Sequence, residues 1–487
     1  RLTNKERPMS TFEAVIGLEI HVQLNCPTKL FCDCPNAPGE RPNLNTCPVC
    51  LWMPGAVPRF NRAALERAAL SGLALNAEIQ PVSAFDQKVY YYPDLPKGYQ
   101  LSQHHAPLAR NGWLEIADEE GRPRRLRIHH IHMEEDVAKL VHETEGHTKI
   151  SLVDFNRAGA PLIEIVTEPD MRSPHDAMEF LKVLRAQIRC AGTADCSMES
   201  GTMRCDANIS IRPAGTAELN TKVEVKNMNS IRAVGHAIAH EIIRQTELVN
   251  QGKRVTLHTR LWDPDKNVTV PMRGKFAGPC VPDPSVPPIR VTPEWIDDMK
   301  RRLPEMPGQK KARFAGEYGL SEDEAAQMSA DRETGEYFEA LVRTQQVPAR
   351  LAAQWMASRL LPALRERGES PDQTALTPPR LAELLHLLQE DRISANAARD
   401  VLARMFSSDL SAGRIVEEQG VAQIGDAAEL ERLVDEIIAG NPSAVQDFRS
   451  GKPQAAGFLV GQAMRVSKGK ANPKVLREIL GQRLSAP

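Results

Sequence analysis

Between residues 278 and 288 the chain carries five prolines: Pro279, Pro282, Pro284, Pro287 and Pro288. Proline fixes φ and donates no backbone hydrogen bond, so neither a helix nor an inner strand continues through such a stretch. The sequence differs in kind on its two sides. Before it, apolar and polar residues alternate in short runs broken by Gly, Pro and Asn. The runs 16–24, 126–132, 162–166, 207–212 and 222–226 read as strands. Between them, 62–75, 175–190 and 233–250 place apolar residues three and four apart, which is the helical period. After the prolines the chain is rich in Ala, Leu, Glu, Arg and Gln, and strand signals almost vanish. Segments 348–361, 379–389 and 427–438 read as helices. The expectation is an α+β chain: a mixed α/β domain at 10–290, then an all-helical half. Loop signals at Ser407, Asp409 and Gly413 divide that half into 291–410 and 411–487.

Size and charge narrow the function classes. With 487 residues, 41% hydrophobic and 25% charged, the chain has the composition of a soluble globular protein of several domains. No apolar run is long enough to span a membrane, so no membrane partner is expected. Residues 1–16 lack the basic start and apolar core of a secretory signal. Nine cysteines, an odd count, fit a reducing cytoplasm. Net charge is −2, so any nucleic-acid contact must come from a local patch. One candidate patch is the tail from residue 457, with Arg465, Lys468, Lys470, Lys474, Arg477 and Arg483 against the single acid Glu478. Such an excess suits phosphate contact, and it is equally the composition of a solvated helix face.

Two runs pair a histidine with carboxylates: Gly17-Leu18-Glu19-Ile20-His21-Val22 and His132-Met133-Glu134-Glu135-Asp136. On a strand, residues two apart share a face, so Glu19 and His21 point the same way. Three consecutive acids repel one another unless a cation neutralises them. Taken alone, the pattern is also that of a surface strand and a solvated acidic turn, and charged residues are more often exposed. Cys32-x-Cys34 and Cys47-x-x-Cys50 are two thiol pairs joined by a loop, the arrangement of a structural tetrahedral zinc site, although C-x-C is less common than C-x-x-C. Tyr90-Tyr91-Tyr92-Pro93-Asp94-Leu95-Pro96-Lys97-Gly98-Tyr99 is an irregular loop whose rings and single lysine suit stacking beside an anionic group. Glu164 lies inside the apolar run 162–166, where a carboxylate must be paired or metal-bound. Asp206, Asn208 and Ser210 alternate with apolar residues, as do Lys222, Glu224 and Lys226. Two such strands side by side floor a polar pocket, and the same alternation marks any half-exposed antiparallel sheet. No G-x-x-x-x-G-K-[ST], G-x-S-x-G or kinase signature is present.

Taken together, these segments resemble the B subunit of the tRNA-dependent amidotransferases that make Gln-tRNA or Asn-tRNA from Glu-tRNA or Asp-tRNA. The likeness runs from Phe12 nearly to the end. It rests on 17–22, 47–50, 91–100, 132–136, 153–170, 206–210, 457–464 and 471–473. It implies a cradle-shaped catalytic domain, a helical domain and a small helical tail that holds tRNA(Gln) or tRNA(Asn). It implies ATP- and Mg2+-dependent phosphorylation of the side-chain carboxylate of the misacylated aminoacyl group, followed by displacement of phosphate by ammonia. The ammonia comes from a partner amidase-type A subunit, tied in by a small C subunit; the cognate aminoacyl-tRNA synthetase is a further possible partner. The chain itself lacks the Ser-rich amidase motif. The metal set implied is Glu19, His21, Glu135 and Glu164, with histidine an unusual partner for Mg2+. The likeness further implies that Lys97 faces phosphate and, with Tyr99, binds cofactor. The catalytic set it implies is Glu135, Lys97, Glu224 and Asp206. Cys32, Cys34, Cys47 and Cys50 are expected to bind structural Zn2+, and Lys468, Lys470, Lys474 and Arg477 to contact tRNA. Two positions depart from the family pattern. Trp52 stands where glycine is usual. After Met272-Arg273, the usual aromatic and arginine stretch is replaced by the shorter Gly274-Lys275-Phe276-Ala277-Gly278-Pro279-Cys280.

Overall fold

The strands of the N-terminal part form one sheet because their sequences bury alternate residues. The computed structural model describes residues 12–37, 41–145, 148–272, 278–421, 427–450, 454–467 and 471–485. In chain order the strands are β1 (Phe12–Gln23), β2 (Glu78–Ile79), β3 (Val82–Val89), β4 (Tyr99–Ala106), β5 (Ala109–Ala117), β6 (Pro123–Glu135), β7 (Lys139–Glu145), β8 (Thr148–Asp154), β9 (Pro161–Thr167), β10 (Met203–Pro213), β11 (Val223–Met228), β12 (Thr259–Asp263), β13 (Val268–Pro271), β14 (Cys280–Pro282) and β15 (Ile289–Arg290). The main path of the sheet runs β13-β12-β11-β10-β1-β9-β6-β4-β3-β14, with β5 beside β6, β2 beside β5 and β15 beside β3. β7 and β8 form a separate hairpin. The pairings are antiparallel except for β11 with β12.

One face of this sheet is apolar. Leu18, Ile20, Ile131, Met133, Ile163, Ile165, Ala207, Ile209, Val223 and Val225 are buried there in a single core. That core is shared with α1 (Arg62–Ala74), α2 (Pro174–Cys190) and α3 (Ile231–Asn250). Each helix starts where the sequence provides a cap. Asn61, Ser173 and Ser230 accept from backbone N–H groups of their first turns, which have no partner within the helix. In α2 the residues Ala177, Phe180, Leu181, Leu184 and Ile188 follow the helical period and turn one stripe inward. The opposite face of the central strands is polar.

A first compact unit ends at Met306 and a second runs from Pro307. The proline-rich stretch lies inside the first unit; within it Cys280–Pro282 form β14, and directly after it Ile289–Arg290 form β15, both beside β3. After it, α4 (Pro293–Arg302) packs on α1. The second unit is helical throughout its described residues and has two apolar clusters. One gathers residues between Phe314 and Val416, and the other gathers residues between Leu430 and Leu484. The expected α+β class is therefore what the chain adopts: a mixed sheet with helices in the N-terminal part, and helices alone beyond it. No helix among the described residues is long and apolar enough to cross a membrane.

Candidate functional site

Register builds a row of ionisable groups across the polar face. His132 on β6 lies opposite Glu164 on β9, and Glu164 lies opposite His21 on β1. Glu134, one pleat further along β6, joins the same face. His21 Nε2 is 3.4 Å from Glu134 Oε1 and 3.4 Å from Glu164 Oε2, and His132 Nε2 is 3.2 Å from Glu164 Oε2. Glu134 is buried, and its Oε2 has no hydrogen-bond partner. His132 Nδ1 is likewise buried without one. Burial would raise the Glu164 carboxyl, but hydrogen bonds from His132 and His21 outweigh it and hold the group well below the usual carboxylate range. Burial would lower His132, yet Glu134 and Glu164 push it up to about 9; His21 is raised by the same neighbours against the same desolvation.

Two carboxylates and an imidazole can therefore hold one divalent cation, with one carboxylate oxygen already bare. Mg2+ prefers oxygen donors, which Glu134 and Glu164 supply, and it retains waters, for which the half-buried His21 side leaves access. Lys88 on β3 faces this group: desolvation by its surroundings would lower its ammonium, but the charges of Glu134, Glu164 and Glu19 raise it.

The polar face continues on the other side of β1. Asn208 Nδ2 donates to Glu19 Oε1 at 2.8 Å. Lys226 bridges Asp206 Oδ2 at 2.5 Å and Glu224 Oε1 at 2.8 Å. These residues of β10 and β11 do floor a polar surface, in which the single Lys226 ammonium is shared by the Asp206 and Glu224 carboxylates. Glu19 is thus engaged by an amide beside the cation group and is not within it.

Glu135 follows Glu134 on the strand and so points to the opposite face. There it forms a buried ion pair with Lys97 and accepts from Leu101 N at 2.9 Å. Lys97 Nζ also lies 5.7 Å from the ring centroids of both Trp52 and Tyr99, which pack edge-on at 5.5 Å. Trp52 supplies one side of this aromatic clamp. Of the metal set expected from the sequence, His21 and Glu164 come together, Glu19 stands beside them, and Glu135 lies on the other face. Glu134, His132 and Lys88 stand outside that expected set. The signal for the first two is strand alternation, since His132 and Glu134 share a face and Glu135 does not.

The Lys97–Glu135 pair adjoins the cysteines. The sulfur atoms of Cys32, Cys34, Cys47 and Cys50 lie within 4.8 Å of one another, and Cys47 and Cys50 are 3.9 Å apart. A tetrahedral Zn–S distance of about 2.3 Å needs sulfurs about 3.8 Å apart, so the group fits zinc. A hydrogen bond shared with Cys32 pushes the Cys50 thiol well below its usual range and Cys32 above it. Fully buried Lys29 donates to Asn45 O at 2.7 Å and Phe155 O at 3.2 Å, and its Nζ is 3.6 Å from Cys50 Sγ. A buried ammonium requires a negative partner, and a thiolate group supplies it. In the tail, Lys474 and Arg477 are exposed on the helix Pro473–Ser485. Lys468 and Lys470 lie outside the described residues, as do 273–277 of the departing loop.

The chain matches two family models: the GatB/GatE catalytic domain over residues 14–297, and the GatB domain over residues 336–484. It is 63% identical over 475 residues to a B subunit of the aspartyl/glutamyl-tRNA(Asn/Gln) amidotransferase of Syntrophus aciditrophicus, covering 98% of this chain and 99% of that protein. It is 44% identical over 481 residues to the B subunit of Carboxydothermus hydrogenoformans, covering 98% and 100%. It is 45% identical over 477 residues to that of Geobacter sulfurreducens, covering 97% and 99%.

Two outcomes follow from this geometry. With His132 raised to about 9 and His21 also raised, the ion-free cluster holds protons that a dication must displace. Mg2+ affinity, measured by calorimetry, should therefore rise from pH 6.5 to 8.5 with proton release; a flat profile would contradict the cluster as the binding site. Lys29→Met should weaken zinc retention by about tenfold or more against a chelator, whereas unchanged release would remove Lys29 from the zinc group.

Proposed function

The chain belongs to the GatB family, the B subunits of aspartyl/glutamyl-tRNA amidotransferases, and on that premise we propose the reaction its polar sheet face performs. The substrate is Glu-tRNA(Gln), Asp-tRNA(Asn) or both. A free carboxylate is a poor electrophile, so one of its oxygens first bonds to the γ-phosphorus of ATP and ADP leaves. Ammonia then attacks the acyl carbon, the carbon–oxygen bond to phosphate breaks, and the amide remains.

The observation that carries this reading is the convergence of His21, Glu134 and Glu164 on one face of β1, β6 and β9. Glu134 and Glu164 hold the cation, and His132 keeps Glu164 ionised and oriented. Mg2+ bound there supplies charge neutralisation for the transferred phosphoryl group. Lys88 faces that developing charge from β3. Asp206, Glu224 and Lys226 line the adjoining floor, where Lys226 is available to an anionic substrate group by exchange of its carboxylate partners. Lys97, Tyr99 and Glu135 brace the reverse face through Trp52, next to the cysteine group that takes Zn2+.

Ammonia is supplied by an amidase-type A subunit tied in by a small C subunit, in the cytoplasm. This accords with relatives named as B subunits and with the absence of an amidase motif here. The aminoacyl-tRNA synthetase is a further partner in this reading. In the division 10–290, 291–410 and 411–487, the last part grips tRNA phosphates through Lys474 and Arg477 together with Lys468 and Lys470.

Reconstitution with both partner subunits, ATP, Mg2+ and glutamine should give ATP-dependent amidation. Glu134→Gln should slow it by roughly 10²–10³-fold while glutamine hydrolysis by the partner persists. Full amidation by this variant would contradict the catalytic reading and leave a tRNA-binding scaffold. Neutralising Lys474 and Arg477 should flatten the log–log salt dependence of tRNA binding by about one unit for each phosphate no longer neutralised; an unaltered slope would remove the tail from the tRNA interface.

A further inference from the structure

A third donor group lies near the far edge of the sheet. β14 pairs antiparallel with β3 so that Cys280 is opposite Lys88 and Pro282 is opposite Asp86. Cys280 and Asp86 therefore share a face as diagonal neighbours. On the other side of β3, the ladder to β4 shifts register between Ala84 and Asp86. The shift swings His105 against Asp86: its backbone N–H donates to Oδ2 at 2.9 Å, and its Nδ1 is 2.9 Å from Oδ1. Register shifts of this kind re-aim side chains, often beside sites. One donor atom each from Asp86, His105 and Cys280 falls within 4.8 Å of the other two.

The chemistry of the three is that of a d-block cation. Thiolate, imidazole and carboxylate together suit Zn2+, and three protein ligands with an open position are a common zinc arrangement. Asp86 is buried, and His105 is its only ion-pair partner among the described residues. His105 is 59% exposed, and Cys280 is half-buried, so an ion has a path in. Along the ladders, Asp86 is opposite Ser102 and Ser102 is opposite Glu134. Two strand spacings, about 10 Å, separate this group from the Glu134 cluster, too far for one ion to serve both.

We propose that Asp86, His105 and Cys280 form a second zinc site on this chain, distinct from the four-cysteine group and from the carboxylate cluster. Binding would displace the Cys280 proton and leave a coordination position open to solvent. The site does not depend on the amidation reading, and its test needs no activity.

The full chain should be loaded with Zn2+ in the presence of excess Mg2+, which occupies the carboxylate cluster, then desalted and assayed for metal by emission spectroscopy. Wild-type protein should retain about one zinc per chain more than either Cys280→Ser or His105→Ala. The exposed His105 variant provides the answer if Cys280→Ser proves insoluble. Cobalt loading adds a signature: thiolate-to-metal charge-transfer absorption should fall in Cys280→Ser by the share of one cysteine. Equal zinc in wild type and both variants, with unchanged cobalt absorption, overturns the proposal.

Discussion

Glu134 and Glu164 are buried side by side, and that like-charge contact is the constraint on which the site is built. Two unit charges about 4 Å apart at an effective dielectric of about 20 repel by about 4 kcal/mol, a large share of the roughly 5–15 kcal/mol that holds a typical domain folded. The sheet tolerates it because His21 and His132 sit on either side of Glu164 in one cross-strand row, both with raised proton affinity. The arrangement needs three adjacent strands in fixed register. That register is secured from behind, where Ile20, Ile163, Ile165 and Met133 are sealed against the helices. A slip of one residue would turn the carboxylates into the core.

The same alternation divides the acidic run. Glu134 faces the cation group, while Glu135 faces Lys97 and the cysteine loop. Asp136 is gripped by Arg204 at 2.9 Å and Arg157 at 3.5 Å. The backbone then joins the two faces. Gly159, at φ +87°, donates to Asp136 O and accepts from Leu30 N, next to Lys29 in the cysteine loop. The stem of Lys29 also lies against Gly159. Lys29, beside the Cys50 sulfur, thus lies within one hydrogen bond of the acidic run. The cysteine group is thereby linked to the carboxylates through the backbone without touching them.

Much of this is legible in the residues. The five strands and three helices read from the first 290 residues appear close to the expected places, because period-2 and period-3.6 burial are strong signals. His21 and Glu164 are legible because a histidine and a glutamate inside apolar strands demand partners. Glu135 enters the expected metal set through family likeness; the alternation that pairs Glu19 with His21, extended to β6, points to Glu134 instead. Lys88 carries no local signal, since its place beside the cluster depends on the long-range path β3-β4-β6. The prolines at 278–288 mark the end of the main strand pattern, yet their segment still pairs with β3 as short edge strands, a position where missing N–H donors cost little.

In the proposed reaction one divalent cation is held by Glu134 and Glu164 on the polar face, and Glu135 takes no part. Mn2+ binding followed by electron paramagnetic resonance tests it most directly, comparing wild type with Glu134→Gln, Glu164→Gln and Glu135→Gln. Glu134→Gln and Glu164→Gln should each weaken Mn2+ binding at least about tenfold, and Glu135→Gln should leave its affinity and spectrum unchanged. Loss of binding in Glu135→Gln, with full binding in Glu134→Gln, would contradict it.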